Sequence, residues 1–183
     1  MISLKDFCLV GPEGPVFGPV DAEIREGRLV AVVGPGGSGR SSLLMVLAGR
    51  LRGGVGEGPP AGTREITALA RITGVVETDE YRKVGQLLAD QGLDGALPGD
   101  PDRRYGELSA AERLRVDVGL ALATGARAVF VDDVDRGLVP EDLERAWAYL
   151  REVADSGPAV VAGACAAPPE VDDVIDLGRR TTE

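Results

Sequence analysis

The sequence predicts an α/β fold in which most strands of the main sheet run parallel. Several short segments contain only apolar residues, and segments with apolar residues at helical spacing separate them. That alternation is typical of a parallel sheet whose two faces are both covered. A glycine-rich turn at residues 34–39 joins one apolar strand directly to a helix. With 183 residues, the chain is long enough for one domain with a sizeable core and too short for two of typical size.

The N-terminal segment is predicted to form an antiparallel β-lobe. Residues 2–10 alternate loosely between apolar and polar side chains, as in an edge strand, and residues 20–24 alternate cleanly. Residues 11–19, rich in glycine and proline, are predicted to be the turn between them. Residues 26–28 are predicted to form a hairpin turn that leads into the apolar strand Leu29–Val33.

Beyond the glycine-rich turn, helices and short apolar strands are predicted to alternate. The predicted helices are residues 40–50, 78–91, 109–123 and 140–153. The predicted strands are residues 70–76, 128–131, 158–163 and 174–177. The last helix opens with Pro-Glu-Asp, which suits both the geometry and the dipole of a helix N-terminus. Residues 49–62 are predicted to be a loop or a much reduced hairpin, and residues 92–101 a break after the second helix.

The turn between the strand and the first helix has the layout of a phosphate-binding P-loop. Glycines at positions 34, 36, 37 and 39 let backbone N–H groups approach an anion closely. The predicted nucleotide-binding residues are Gly34, Pro35, Gly36, Gly37, Ser38, Gly39, Arg40, Ser41 and Ser42. Ser41 would be a magnesium ligand, and Arg40 would reach the terminal phosphates. The alternative is an ordinary glycine-rich turn between a buried strand and a buried helix.

Arg40 stands where the strict P-loop pattern has lysine. Its positive charge is kept, but the planar guanidinium fork differs from the compact ammonium of lysine. We therefore expect phosphate binding to survive this change more easily than catalysis does.

Composition excludes some function classes. A net charge of −10 argues against broad binding to nucleic acids or to anionic membranes, but it does not argue against ATP. Cys8 and Cys165 form neither a metal-type spacing nor a disulfide framework, which favours the reducing cytoplasm, and Cys165 is predicted to be a small apolar filler. The N-terminus does not look like a signal peptide, and no apolar run approaches the roughly 20 residues that span a bilayer. No direct membrane insertion is expected, so any membrane part would come from another chain.

A second group of polar residues lies downstream. Ser109-Ala110-Ala111-Glu112 opens a predicted helix, and the strand 128–131 ends in Asp132 and Asp133, with Asp135 close behind. Ser109 and Glu112 alone would be explained by a capping box at the helix start. The three acids alone would be explained by a solvated turn at the end of a strand.

In order and spacing, these motifs resemble the ATP-binding cassette (ABC) ATPases. The resemblance implies a β-lobe and P-loop half at residues 1–76, a reduced helical insert at 77–105, and a half carrying the signature and Walker B motifs at 106–183. Ser109, Ala110, Ala111 and Glu112 would be the signature, and Asp132 would hold magnesium together with Ser41. Asp133 would occupy the position of the catalytic glutamate. Glu77 would stand where the family has a glutamine that senses magnesium, although a simple surface acid explains it equally well.

The resemblance also implies ATP and Mg²⁺ as cofactors, a homo- or heterodimer of ATP-binding subunits, and a transmembrane permease as partner. The chain would then lie in the cytoplasm or at the inner face of the membrane through that partner. However, arginine replaces the P-loop lysine, Asp133 replaces glutamate, Ala110 and Ala111 replace signature glycines, and the chain has no histidine. We therefore expect an ATP-binding subunit with weak or absent hydrolysis. The alternatives are a non-catalytic pseudo-ATPase serving assembly or regulation, and a slow ATPase with Asp133 as its base.

Overall fold

A computed structural model describes residues 1–93 and 100–178 of the chain. Its strands are β1 (Ile2–Gly11), β2 (Gly14–Ile24), β3 (Leu29–Val33), β4 (Val55–Glu57), β5 (Thr67–Arg71), β6 (Ala128–Val131), β7 (Ala159–Ala164) and β8 (Asp173–Asp176). Its α-helices are α1 (Arg40–Leu47), α2 (Val84–Ala89), α3 (Ala110–Ala123) and α4 (Pro140–Asp155). Short 3-10 helices cover Thr63–Ile66 and Tyr105–Glu107.

The N-terminal lobe is an antiparallel sheet in the order β2-β1-β4, as predicted. The predicted turn at residues 11–19 is shorter than expected, because β1 and β2 already pair at Gly11 and Gly14. Pro15 and Pro19 therefore lie within β2, which is an edge strand of this sheet, where proline removes no ladder bond that a neighbour needs.

The predicted hairpin at residues 26–28 is wrong. β2 pairs with β1 in the lobe, whereas β3 pairs in parallel with β7 and β8 in the main sheet. All five residues of β3 are buried, so this strand needs neighbours and covering layers on every side. The turn therefore carries the chain from one sheet to the other, and Gly27 N–H donates to Gly157 O at 2.8 Å beside it.

The main sheet has five parallel strands in the order β5-β6-β7-β3-β8, which confirms the predicted class. Successive residues of β3 point to opposite faces. Val30 and Val32 pack in one core with Leu43 and Leu44 of α1 and with the lobe. Leu29, Ala31 and Val33 point the other way and pack in a second core with α3 and α4. Both faces are therefore covered, as uniformly apolar strands require.

The helix predicted at residues 78–91 is largely wrong, since only α2 is helical there. Tertiary pairing explains the loss. Glu80 O and Arg82 O accept the N–H groups of Gly106 and Tyr105 at 2.8 and 2.9 Å, and Lys83 forms an antiparallel bridge with Arg104. The break predicted at residues 92–101 lies partly outside the described residues.

The strand predicted at residues 70–76 lies earlier, at β5, because a turn bridging Ile72 and Val76 ends it. The described residues contain no helix that is both long and apolar enough to cross a membrane.

Candidate nucleotide-binding site

The predicted P-loop and the predicted pair Asp132 and Asp133 lie at the carboxyl edge of the parallel sheet. The glycine-rich loop follows β3, Asp132 and Asp133 follow β6, and Cys165 follows β7. Since β6, β7 and β3 are neighbours in the sheet, their ends meet at one place. Crevices at this edge are where α/β sheets ordinarily bind ligands.

The loop presents an open backbone surface in front of α1. Gly37 and Gly39 have φ of +79° and +94°, which favours glycine, and Pro35, Gly36 and Gly37 are exposed. A Cβ built on Gly36 or on Gly37 would meet nothing within 4 Å. Space for a ligand therefore exists where the loop amides and the N-terminus of α1 can reach it.

Ser38 contributes an unusual feature of this loop. Its N–H donates to Pro35 O at 3.1 Å, which closes the turn. Its hydroxyl oxygen, in contrast, is buried and has no hydrogen-bond partner among the described residues. An orphaned buried hydroxyl in a phosphate-binding type of loop fits a ligand that would complete its hydrogen bonding.

Ser41 and Asp132 meet directly. The Ser41 hydroxyl donates a short hydrogen bond to Asp132 Oδ2, and Asp132 is fully buried at the end of β6. Its other carboxylate oxygen, Oδ1, accepts the Asp133 N–H at 2.9 Å. A hydroxyl and a carboxylate are hard oxygen ligands of the kind that Mg²⁺ prefers, so these two residues fit the predicted metal role.

Glu77 makes a local contact instead. Its Oε1 accepts the Gly74 N–H at 2.9 Å, within the turn that follows β5. Its role in holding magnesium stays a prediction. Ser42 lies half-buried in the first turn of α1, beside Ser41.

Arg40 folds inward across the site. One of its terminal nitrogens, Nη1, donates to Gly34 O through a short bond and to Ala164 O at 3.2 Å. The other, Nη2, lies 3.0 Å from Asp133 Oδ1. Burial alone would lower the pKa of this guanidinium, but Cys165 and the carboxylates of Asp133 and Asp132 outweigh it and raise the pKa. Arg40 is therefore a fixed cation, 11% exposed, that joins three strand ends.

Asp133 is held from a second side as well. The Thr73 hydroxyl donates to Asp133 Oδ2 at 3.2 Å, and Arg136 Nη1 lies 3.9 Å from the same oxygen. Asp133 has φ of +47°, in the left-handed region, and its backbone carbonyl accepts from Arg71 at 3.3 Å. The carboxylate predicted to act as catalytic base is thus engaged by several donors. Its catalytic role stays a prediction.

Cys165 was predicted to be an apolar filler, and that interpretation is wrong. The residue is exposed, its Sγ lies 3.5 Å from Arg40 Nη1, and its N–H donates to Asp135 Oδ2 at 2.7 Å. It lies one residue beyond β7, where the strand has already left the core. Sequence reasoning also missed Thr73, since a threonine in a turn gives no signal of its distant partner.

The predicted signature opens α3 with a complete capping box. Ser109 Oγ accepts the Glu112 N–H at 3.3 Å, while Glu112 Oε2 accepts the Ser109 N–H at 2.8 Å. Arg103 Nη1 binds Glu112 Oε1 at 2.8 Å. The Ser109 backbone N–H and the Arg103 side chain lower the pKa of Glu112, so this carboxylate is ionised at neutral pH. Ala110 and Ala111 lie in the first turn, and a role of these four residues at a nucleotide stays a prediction.

Comparison with known proteins supports the resemblance. An ATP-binding protein of Rhizobium meliloti (strain 1021), named for ribose/galactose/methyl galactoside import, is 28% identical over 194 residues, covering 89% of this chain and 37% of that protein. ABC transporter G family member 12 of Dictyostelium discoideum is 29% identical over 161 residues, covering 67% of this chain and 25% of that protein.

Solved structures share the fold. An ABC transporter ATP-binding protein from Pyrococcus furiosus superposes with a TM-score of 0.76 at 19% identity, covering 96% of each chain. No protein-family model matches the chain. The chain spans about a quarter to two fifths of the length of the two sequence relatives. These findings confirm the resemblance to ABC ATP-binding domains and their α/β fold.

Proposed function

We propose that the chain, which resembles ABC ATP-binding domains in sequence and in fold, binds Mg-ATP and couples this binding to a partner, with weak or absent hydrolysis. The observation that carries the proposal is the glycine-rich loop, whose open face adjoins the Ser41–Asp132 pair. Loop amides, Ser38, Arg40 and Ser42 would hold the phosphates. Ser41 and Asp132 would hold Mg²⁺, which supplies positive charge beside the phosphates.

Weak hydrolysis is supported by the state of Asp133. A general base must reach the proton that it abstracts, and its geometry is decisive before its pKa. The Asp133 carboxylate is 3.0 Å from Arg40 and 3.2 Å from Thr73, and aspartate is one methylene shorter than the glutamate of the family. Residues that act as a unit in catalysis also lose activity together, and here the lysine, glutamate and histidine are all replaced.

The partner is proposed from the relatives. One of them is named for sugar import and the other as an ABC transporter. Because this chain covers only part of their length, a transmembrane permease as partner, and a homo- or heterodimer of ATP-binding subunits, are proposals for the whole assembly.

A thermal shift with Mg-ATP tests the proposal. A ligand at 100 times its Kd stabilises the folded state by about 2.7 kcal/mol, which raises the Tm of a domain of this size by roughly 5–10 °C. No shift at millimolar Mg-ATP would contradict nucleotide binding.

Arg40→Ala should weaken Mg-ATP binding about tenfold or more, because hydrogen bonds to charged groups contribute about 1.5–3 kcal/mol. A labelled-nucleotide titration measures the change. Arg145→Ala, at an arginine of α4 that is 69% exposed, is the matched control and should bind like the wild type. Equal affinity of the Arg40 variant and the wild type would remove Arg40 from the site.

The second candidate is a pseudo-ATPase that serves assembly or regulation without nucleotide. The observation that favours it is the Arg40–Asp133 pair, which places two of the chain's own side chains across the site.

A phosphate-release assay addresses the third alternative, a slow ATPase. Release by the wild type that is lost in Asp133→Asn would support Asp133 as base.

A further inference from the structure

We propose that the Asp133 carboxylate competes with the phosphates of a nucleotide for the Arg40 guanidinium. A phosphate must therefore replace this carboxylate beside Arg40 before the nucleotide site is fully formed. This inference rests on the proposed function, since it describes how nucleotide enters the same site. It assigns Asp133 a role in setting affinity.

The first support is the position of Arg40. The guanidinium reaches Gly34 O at the start of the loop, Ala164 O at the end of β7 and Asp133 beyond β6. One side chain therefore ties together the three strand ends that form the site. A guanidinium offers five donors in a rigid fork, so it can hold several acceptors at once. The ammonium of lysine, on a flexible stem, is less suited to this.

The second support is that Asp133 keeps donors if Arg40 leaves. Thr73 Oγ1 lies 3.2 Å from Asp133 Oδ2, and Arg136 Nη1 lies 3.9 Å from it. Asp133 is half-buried, with its side chain 23% exposed. The carboxylate would therefore not be left buried and unpaired by the exchange, which is the costly outcome for a charged group.

The third support is that the Asp133 carboxylate and a nucleotide phosphate would both bind the same group, the guanidinium of Arg40. Carboxylate and phosphate oxygens both match its fork. While Nη2 remains 3.0 Å from Asp133, this group is not available to a phosphate in full. Part of the binding energy of a nucleotide is then spent on separating the pair, so the affinity of the wild type is lower than the loop alone would give.

The test is a cycle of variants titrated with labelled ATP and Mg²⁺. Asp133→Asn keeps the shape of the side chain and tolerates the left-handed φ of +47°, since asparagine visits that region readily. It should bind about five- to tenfold more tightly than the wild type. Asp142→Asn, a matched change on the surface of α4, should leave affinity unchanged.

Removing any carboxylate near a polyphosphate also reduces repulsion, so the cycle is completed with Arg40→Gln. If competition for Arg40 is the cause, Asp133→Asn should change affinity less than twofold in the Arg40→Gln background. The same tightening in both backgrounds would overturn the proposal in favour of simple repulsion. Unchanged affinity in Asp133→Asn alone would overturn it as well, with nucleotide binding by the wild type left standing.

Melting temperatures without nucleotide give a second measure of the pair. Each single variant should lower the Tm by about 2–4 °C, and the double variant should lower it no further than the larger single effect. Fully additive Tm shifts would show that Arg40 and Asp133 do not interact, and would overturn the proposal.

If neither the wild type nor Asp133→Asn binds nucleotide, the proposed function fails and the proposed competition fails with it.

Discussion

At the scale of single residues, the site depends on one glycine that the motifs do not include. Gly163 lies in β7 directly beside Asp132, and its carbonyl accepts the Val134 N–H at 2.9 Å. A Cβ at this position would come closer to Asp132 Oδ1 than real contacts allow, and would lie 3.2 Å from Leu44. A side chain here would therefore push on the buried carboxylate that is proposed to hold magnesium.

We predict that Gly163→Ala lowers the free energy of unfolding by about 1–3 kcal/mol, because overpacking a filled core shifts side chains and backbone. Urea unfolding monitored by circular dichroism measures the change. Gly36→Ala is the control: its Cβ would meet nothing within 4 Å, so stability should stay within about 0.5 kcal/mol of the wild type. Equal losses in both variants would argue against the steric explanation.

The contacts of single residues were harder to predict from the sequence than the elements or the fold class. The loop, Ser41 and Asp132 were found because each follows an apolar strand, and parallel strands bring their carboxyl ends to one edge. The roles of Thr73 and Gly163 were missed and that of Cys165 was predicted wrongly, because each has its partner at least 30 residues away in the chain. The contacts of the Arg40 side chain with Ala164 and Asp133 were missed for the same reason.

At the scale of elements, α3 joins the predicted signature to a buried polar cluster. Asp117 in this helix is 2% exposed, and it accepts hydrogen bonds from the Tyr105 hydroxyl at 2.8 and 2.7 Å and from Thr78 at 2.9 Å. Burial raises the pKa of Asp117, although these donors, with Arg71 and Arg113, partly oppose the rise. The cluster fixes residues 78 and 105 on α3, and so orients the segment that precedes the signature.

The raised pKa of Asp117 predicts how the stability of the protein depends on pH. Between its unfolded and its folded pKa, Asp117 keeps a proton in the folded state that the unfolded state has already released, so its contribution to stability is lost as pH rises. Asp117→Asn cannot titrate. The stability of Asp117→Asn relative to the wild type should therefore increase as pH rises from about 4, by about 1.4 kcal/mol for each unit of pKa shift.

Denaturant unfolding of both proteins between pH 4 and 8 measures this difference. Tyr105→Phe serves as a second variant. It removes a donor that favours the ionised carboxylate and so raises the pKa of Asp117 further, and the loss of stability should therefore extend to higher pH than in the wild type and be larger in total. A stability difference that falls with pH would contradict the assignment.

Elements were predicted well where the local pattern and the tertiary structure agree. The bounds of β3 and β6 were correct, because a run of four or five apolar residues, rich in valine and ended by polar residues or glycine, has the length and composition of a buried strand. The capping box at Ser109 also formed as its pattern indicates. The predicted helix at residues 78–91 failed because backbone pairing with residues 103–106 replaced its helical hydrogen bonds.

At the scale of the whole molecule, the net charge of the chain bears on its proposed assembly. The chain has 30 acidic and 20 basic residues, a net charge of −10. A charge of this size keeps copies of one protein apart, since two like-charged surfaces repel. A homodimer of this chain would form against that repulsion, whereas a heterodimer with a basic partner would be helped by attraction.

We predict that salt distinguishes these two assemblies. Raising NaCl from 0.1 to 0.3 M shortens the Debye length from about 10 Å to about 6 Å, which screens long-range repulsion. With Mg-ATP kept saturating, the dissociation constant of a homodimer should fall several-fold, as measured by sedimentation equilibrium, and nucleotide-free protein is the control. Attraction to a basic partner should weaken over the same range. A homodimer that instead dissociates with salt would show that local charge pairs at its interface, rather than the net charge of the chain, control its assembly.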